Sequence, residues 1–147
     1  MNTIGSLYRA KPQDREAIIS LLTAVNLPTE DLPLSLNTFL LAKAGGKVVG
    51  SVGLELYGEY ALLRSLAVAP AGQGTGLGKA LYQQAMHLAA KQGIKEVYLI
   101  TTTAAPFFQK QGFTQVERFS VPVAIQGTAQ FSSVCPASAT IMQKQIQ

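Results

Sequence analysis

Gln73-Gly74-Thr75-Gly76-Leu77-Gly78 lies between two apolar segments of different period. Upstream, Leu62 to Ala69 is apolar but for Arg64 and Ser65, the composition of a buried strand. Downstream, Leu77, Leu81, Ala85 and Leu88 recur at spacings of four, four and three, the stripe of a helix packed on a sheet. The unit reads as strand, glycine-rich loop, helix. Glycines at 74, 76 and 78 permit positive φ and carry no side chains, so several amide N–H groups can converge on one spot. That spot lies in front of a helix N-terminus carrying about half a positive charge. Such a loop cradles an anion, and a phosphate suits it best.

A P-loop would continue with Lys-Ser or Lys-Thr, whereas Lys79 is followed by Ala80. The dinucleotide fingerprint G-x-G-x-x-G fails as well, because the third glycine comes one residue too early. The pattern that fits is Q/R-x-x-G-x-G, carried by Gln73, Gly76 and Gly78. In this the segment resembles the pyrophosphate loop of the GNAT N-acetyltransferase superfamily, which holds coenzyme A.

With 147 residues the chain is expected to form a single domain, 1–147, with a real core. Hydrophobic residues make up 48% and charged residues 14%, which excludes disorder and leaves room for an apolar face that a homodimer would cover. No apolar run approaches the ~20 residues of a membrane span, so no membrane partner is expected. Met1 to Arg9 lacks a signal peptide's apolar core, and a cytoplasmic location is expected. One cysteine and one histidine exclude an internal disulfide and argue against a metal site. A net charge of +4 suits an anionic cofactor, but the twelve Lys and Arg are scattered, so nucleic acid is not an expected partner.

Ile4 to Arg9 reads as a first strand, and Pro12, Asp14 and Glu16 open a helix with an apolar face of Ala17, Ile18, Leu21, Leu22 and Val25. Asn26 to Pro33, with two prolines, is a break and a candidate lid. Strands over Thr38–Ala44 and Lys47–Leu56 are joined at Gly45-Gly46, and Gly58-Glu59 turns the chain into the strand that ends at Ala69. The helix after the glycine loop stops at Gly93, and Val97 to Ile100 has the continuous apolarity of a parallel central strand. A short helix within Thr101–Gln111, a strand opened by Phe113, a short helix around Ala124–Phe131 and a last strand near Ala139–Lys144 complete the chain.

The implied order, β-α-α-β-β-β-α-β-α-β-β, is that of the same superfamily. Thr101-x-x-Ala104-x-x-Phe107-Phe108-x-x-x-Gly112-Phe113 resembles its N-x-x-A-x-x-F-Y-x-K-x-G-F segment, with Lys110 in register. The fold expected is therefore α/β, with a mixed sheet of about six or seven strands splayed between residues 62–69 and 96–101, and about four helices. Further blocks are similar to the arsenic-resistance N-acetyltransferase subfamily: Leu27-Pro28-Thr29-Glu30-Asp31-Leu32, Gly53-Leu54-Glu55, Leu62 to Val68, Leu99 to Ala104 and Cys135 to Ala139. That likeness implies a small amine substrate connected with arsenic.

What the resemblance implies for the site is acetyl-CoA as co-substrate, without a metal. Its pyrophosphate would sit on Gln73, Gly74, Thr75, Gly76, Leu77, Gly78 and Lys79, although Lys79 also reads as a solvated first-turn lysine. Main-chain groups of Leu66, Ala67 and Val68 would meet pantetheine and the thioester, with Thr101, Ala104 and Phe107 on the other side. The family commonly carries tyrosine at position 108 as general acid; Phe108 has no proton to give. Cys135, Ser132, Ser133 and Thr102 are alternative donors, and Cys135 reads equally well as a small buried hydrophobe.

The second hairpin brings further candidates together. A turn at Gly58-Glu59 makes paired residue numbers sum to 117, so Gly53 faces Arg64 and Glu55 lies diagonally from it. Charges in mid-sheet are costly unless used or paired. Glu55 is a candidate base and Arg64 a candidate holder of a substrate carboxylate, with Tyr57 and Thr102 beside the substrate; a structural ion pair is the alternative. His87 falls off the apolar stripe and Tyr98 reads as core. Direct attack by the amine is expected, because no histidine lies where it could activate Cys135.

Overall fold

The computed structural model describes residues 7–133 and 139–147. Among them seven strands form one sheet: β1 (Leu7–Arg9), β2 (Phe39–Ala44), β3 (Lys47–Tyr57), β4 (Tyr60–Val68), β5 (Glu96–Thr101), β6 (Thr114–Gln115) and β7 (Thr140–Gln145). Their spatial order is β1-β2-β3-β4-β5-β7-β6. Neighbours are antiparallel except β4 and β5, which run parallel. The α-helices are α1 (Arg15–Ala24), α2 (Leu77–Lys91), α3 (Ala105–Lys110), α4 (Val123–Gln126) and α5 (Ala129–Ser133). The expected splayed α/β sheet is present.

Each helix buries the face its sequence offers. Pro12 opens a 3-10 turn that leads into α1, and Asp14 accepts the Lys11 amide at 2.8 Å. Ile18, Leu21 and Leu22 of α1 then pack with Phe39, Leu41 and Ala67 on one face of the sheet. On the opposite face α2 buries Leu77, Leu81, Tyr82, Ala85 and Ala89; the stripe runs through Ala89, and Leu88 is only half-buried. His87 is exposed on the flank of α2. Helices α4 and α5 cover β4, β5 and β7 through Ile125 and Phe131.

One expected helix is missing. Between α1 and β2 the chain makes turns and no second helix, because Asn26 takes a left-handed φ of 63° and Pro28 and Pro33 interrupt the segment after it.

Gly53 faces Arg64 and Glu55 faces Leu62, the register required by the turn at Gly58-Glu59. That register does not extend through the strand, for nearer its end Ser51 faces Ala67 and Gly50 faces Val68. The extra residue belongs to β4, where Ser65 has a φ of 58°, the mark of a β-bulge. Before the bulge Ala61 and Leu63 face α2 while Leu62 faces the other side. After it, Leu66 and Val68 face α2 and Ala67 faces away.

On β2, Phe39 lies opposite Gly53 and is fully buried. A Cβ on Gly53 would overlap the Phe39 ring. Gly53→Ala should therefore lower the unfolding free energy by about 1–3 kcal/mol. The check is the urea midpoint, which should fall with an unchanged m-value and recover in part when Phe39→Leu is added.

Candidate functional site

The glycine loop opens the site. After a 3-10 turn at Pro70–Gly72, Gln73 is extended and its Nε2 donates back to the Val68 carbonyl at 3.0 Å. Gln73 thus fastens the loop to β4, and Thr75 Oγ1 donates to the Gly72 carbonyl. Gly74 and Gly76 have φ values of 81° and 84°, a region closed to most side chains. Gly78 differs from the expectation: it sits in the first turn of α2 without positive φ, and an added Cβ would meet Val68 at an ordinary 3.6 Å. The Ala80 amide donates to the Gly76 carbonyl at 3.0 Å, so the amides of Leu77, Gly78 and Lys79 precede the helical ladder. They point along the axis with the positive end of the macrodipole behind them. Lys79 itself is exposed.

Beside this helix start the sheet is split. β4 and β5 pair only at Tyr60–Glu96, Ala61–Val97 and Leu62–Tyr98, then part. The Ala69 amide bonds the Val49 carbonyl of β3 at 2.8 Å, so backbone alternation turns the amides of Leu66 and Val68 away from β3, toward the gap. Ala67, paired with Ser51, directs its main chain into β3, contrary to its expected cofactor contact.

A cavity of about 130 Å3 occupies the gap. Leu63 to Leu66 form one wall, Leu99 to Thr101 another, and Thr103, Ala104 and Phe108 close the α3 side. Thr101 Oγ1 accepts the amides of Ala104 (2.9 Å) and Thr103 (3.4 Å), which sets the turn into α3. Thr102 is exposed and off the wall; Thr103 stands there instead. Phe107 is half-buried and packs edge-on against Phe108, their centroids 5.1 Å apart. Leu27 and Pro28, from the break after α1, also line the cavity.

Arg64 is committed elsewhere than to a substrate. Its Nη2 donates to Asp31 Oδ1 (2.8 Å), its Nη1 to Glu55 Oε2 (2.8 Å) and the Asp31 carbonyl (3.0 Å), and its Nε to Ser65 Oγ (3.1 Å). The Arg64 and Asp31 side chains are each 1% exposed and that of Glu55 is 11% exposed. Glu55 Oε1 accepts the Tyr57 hydroxyl, and neither residue reaches the cavity wall. Burial, and then that hydrogen bond, push the Tyr57 phenol well above its ordinary range. The ion-pair alternative is therefore the arrangement found, extended by Asp31, which sequence patterning did not reveal. Two carboxylates around one guanidinium leave the cluster a formal charge of −1.

Cys135 lies outside the described residues, as do the side chains of Ser132 and Ser133. The described residues contain no group of three His, Cys, Asp or Glu able to hold a metal, and no helix long and apolar enough to cross a membrane.

Tyr82 of α2 packs edge-on against Phe107, Phe108 and Phe113, and its buried hydroxyl has no partner among the described residues. Burial pushes this phenol up to about 12. A folded-state value above the unfolded one contributes stability below about pH 10 that is lost as pH rises toward 12. Tyr82→Phe should leave neutral-pH stability unchanged or raise it by up to about 1–2 kcal/mol. Urea denaturation at pH 7 and pH 11 checks both statements, since the variant should lose less stability than the parent between the two.

The split in the sheet lies beside a helix start whose first amides face outward, a geometry suited to an extended, phosphate-bearing molecule. Residues 35–115 match the family described as acetyltransferase (GNAT) domain, and the chain belongs to it. An uncharacterised N-acetyltransferase of Chlorobaculum tepidum is 28% identical over 97 residues, 65% of this chain and 62% of that protein. An amino-acid acetyltransferase of Mycobacterium tuberculosis is 34% identical over 73 residues, 49% of this chain and 41% of that one. The corresponding Aeromonas salmonicida enzyme is 23% identical over 124 residues, 83% of this chain but 27% of the longer protein. Among solved structures, N-acetylglutamate synthase from Neisseria gonorrhoeae, complexed with coenzyme A and N-acetyl-glutamate, has a TM-score of 0.83 at 19% identity, covering 97% of this chain and 35% of that one. A Mycobacterium tuberculosis protein in complex with CoA and NLQ gives 0.80 at 24% identity, with 97% and 100% covered.

Proposed function

We propose that this domain transfers the acetyl group of acetyl-CoA to the primary amine of a small, amino-acid-like acceptor. The observation that carries the reading is the gap between β4 and β5, opening beside the free amides at the start of α2. Free backbone donors at the helix start and along β4 fit a phosphate-bearing, amide-bearing chain. Acetyl-CoA supplies the activated acyl thioester.

The amides of Leu77, Gly78 and Lys79 hold the pyrophosphate, with Gly74 and Gly76 setting the loop's path. The amides of Leu66 and Val68 donate to the donor molecule's carbonyl groups and stabilise the charge that grows on the acyl oxygen. Thr101, Ala104 and Phe108 form the facing wall. The Ser65 and Thr101 hydroxyls already accept hydrogen bonds from Arg64 and from the turn. The single histidine, His87, lies exposed on α2 away from the cavity. No hydroxyl or thiol therefore has a histidine to activate it, and the amine attacks directly. Phe108 gives no proton, so water relays the proton released by the attacking amine to the departing thiolate.

The size of the cavity favours a small acceptor, and the amino-acid acetyltransferases among the relatives support an amino-acid-like one. The blocks similar to the arsenic-resistance subfamily extend that class to amino-acid-like arsenicals. The test is CoA release from acetyl-CoA over a panel of amines, amino acids and amino-acid-like arsenicals. A thiol reagent reads it, with a CoA-free control for Cys135. Release with one acceptor establishes the transfer. Acetyl-CoA binding without release would leave a binding module, and no binding would overturn the reading.

A further inference from the structure

One polar side chain of the cavity wall comes from α5. Gln130, on α5, lines the cavity, and its buried Oε1 has no hydrogen-bond partner among the described residues. Leaving a buried carbonyl oxygen unpaired is costly, and such a group in a native site calls for a ligand that satisfies it.

The helix that carries Gln130 is held in place from both sides. Thr128 Oγ1 accepts the Phe131 amide at 3.3 Å and donates to the Ile125 carbonyl at 2.8 Å, tying α5 to α4. Phe131 and Ile125 are 4% and 0% exposed, packed with Leu62 and Tyr98 where β4 and β5 still pair. Gln130 is thereby positioned where the two strands separate. On the same cavity wall Arg64, Ser65 and Thr101 are already engaged, whereas the buried Gln130 Oε1 is left without a partner among the described residues. An acceptor needs a donor. The donor molecule's own amides lie along the arm that leads from the start of α2, on the face of the sheet opposite α5, so the N–H that meets Gln130 comes from the attacking amine.

We infer that Gln130 Oε1 accepts an N–H of the acceptor amine and holds its nitrogen in the gap between β4 and β5. This rests on the acetyl-transfer reading. Gln130 is thus a positioning residue for the acceptor, selecting amines that keep an N–H besides the one lost in transfer.

The experiment uses the full chain, the most active amine of the panel, and two variants. Gln130→Met keeps length and loses the acceptor; Gln130→Glu keeps an acceptor and adds charge. A hydrogen bond to a charged donor predicts a rise of roughly tenfold or more in the acceptor KM of Gln130→Met. The Kd of acetyl-CoA by calorimetry should stay within about twofold, and Gln130→Glu should hold or lower the KM for a cationic amine. An unchanged KM in Gln130→Met overturns the assignment, as does an equal rise in both variants. A weakened acetyl-CoA Kd instead would move Gln130 to the donor and overturn it too. If Gln130→Met does not fold, Gln130→Glu alone decides: a held or lowered KM supports the contact and a raised one sinks it. Absence of CoA release by the parent protein with every amine would be a failure of the transfer reading itself, and the inference would fall with it.

Discussion

Arg64→Met should destabilise the fold by about 3–5 kcal/mol, the range for removing one partner from a buried ion pair. The arginine holds Asp31 Oδ1 and Glu55 Oε2 at 2.8 Å each and adds the Asp31 carbonyl at 3.0 Å. Without it two carboxylates remain deep in the protein with no cation, and Asp31 Oδ2 already has no partner among the described residues. For a domain of this size each kcal/mol shifts Tm by about 2–4 °C, so a fall on the order of 10 °C is expected. Arg64→Lys should recover only part, because one ammonium cannot span the fork that reaches Asp31, Glu55 and Ser65 together. Replacing Asp31, Glu55 and Arg64 together with apolar residues of similar volume should recover more than Arg64→Lys does. Thermal unfolding of the three variants is the measurement. A Tm for Arg64→Met within about 2 °C of the parent would show that the network carries little stability. Loss of acceptor turnover should accompany the destabilisation, because Asp31 ties the segment bearing Leu27 and Pro28 to β4.

Gly76→Val should weaken acetyl-CoA binding at least about 100-fold, read as the Kd from calorimetric titration. Gly76 caps α2 at φ 84°, where a β-branched residue is strongly disfavoured. The loop must then take another path, and the amides of Leu77, Gly78 and Lys79 lose their common direction. Two charge-assisted hydrogen bonds at about 1.5–3 kcal/mol each account for a loss of that size. Gly78→Ala is the internal contrast. Its Cβ would lie 3.6 Å from Val68 with ordinary backbone angles, so binding should change by less than about threefold. Equal effects at the two positions would show that space, rather than backbone direction, is what the loop requires.

These residues also show where the chain could be read from sequence. The hairpin at Gly58-Glu59 was legible because turn position and a period of two fix which residues face each other, and Gly53 opposite Arg64 follows by arithmetic. The anion loop was legible because its glycines stand immediately before a helical stripe. The bulge was not, since Ser65 is no glycine and nothing local announces its φ of 58°. Asp31 escaped notice because its partner is 33 residues away and the intervening loop has no period. Gln130 sits in a five-residue helix, too short for a hydrophobic pattern to mark it. The extra helix expected after α1 came from family order and yielded to two prolines.

The short seam between β4 and β5 has a mechanical consequence. Within the sheet three residue pairs join β1 to β4 with β5 to β7, and α4 and α5 brace that end of the cut. A molecule seated in the cut would bridge both rims with hydrogen bonds that the backbone forgoes on its own. Such a molecule would act as a wedge that ties the two rims together, and amide exchange along them should slow while it is bound.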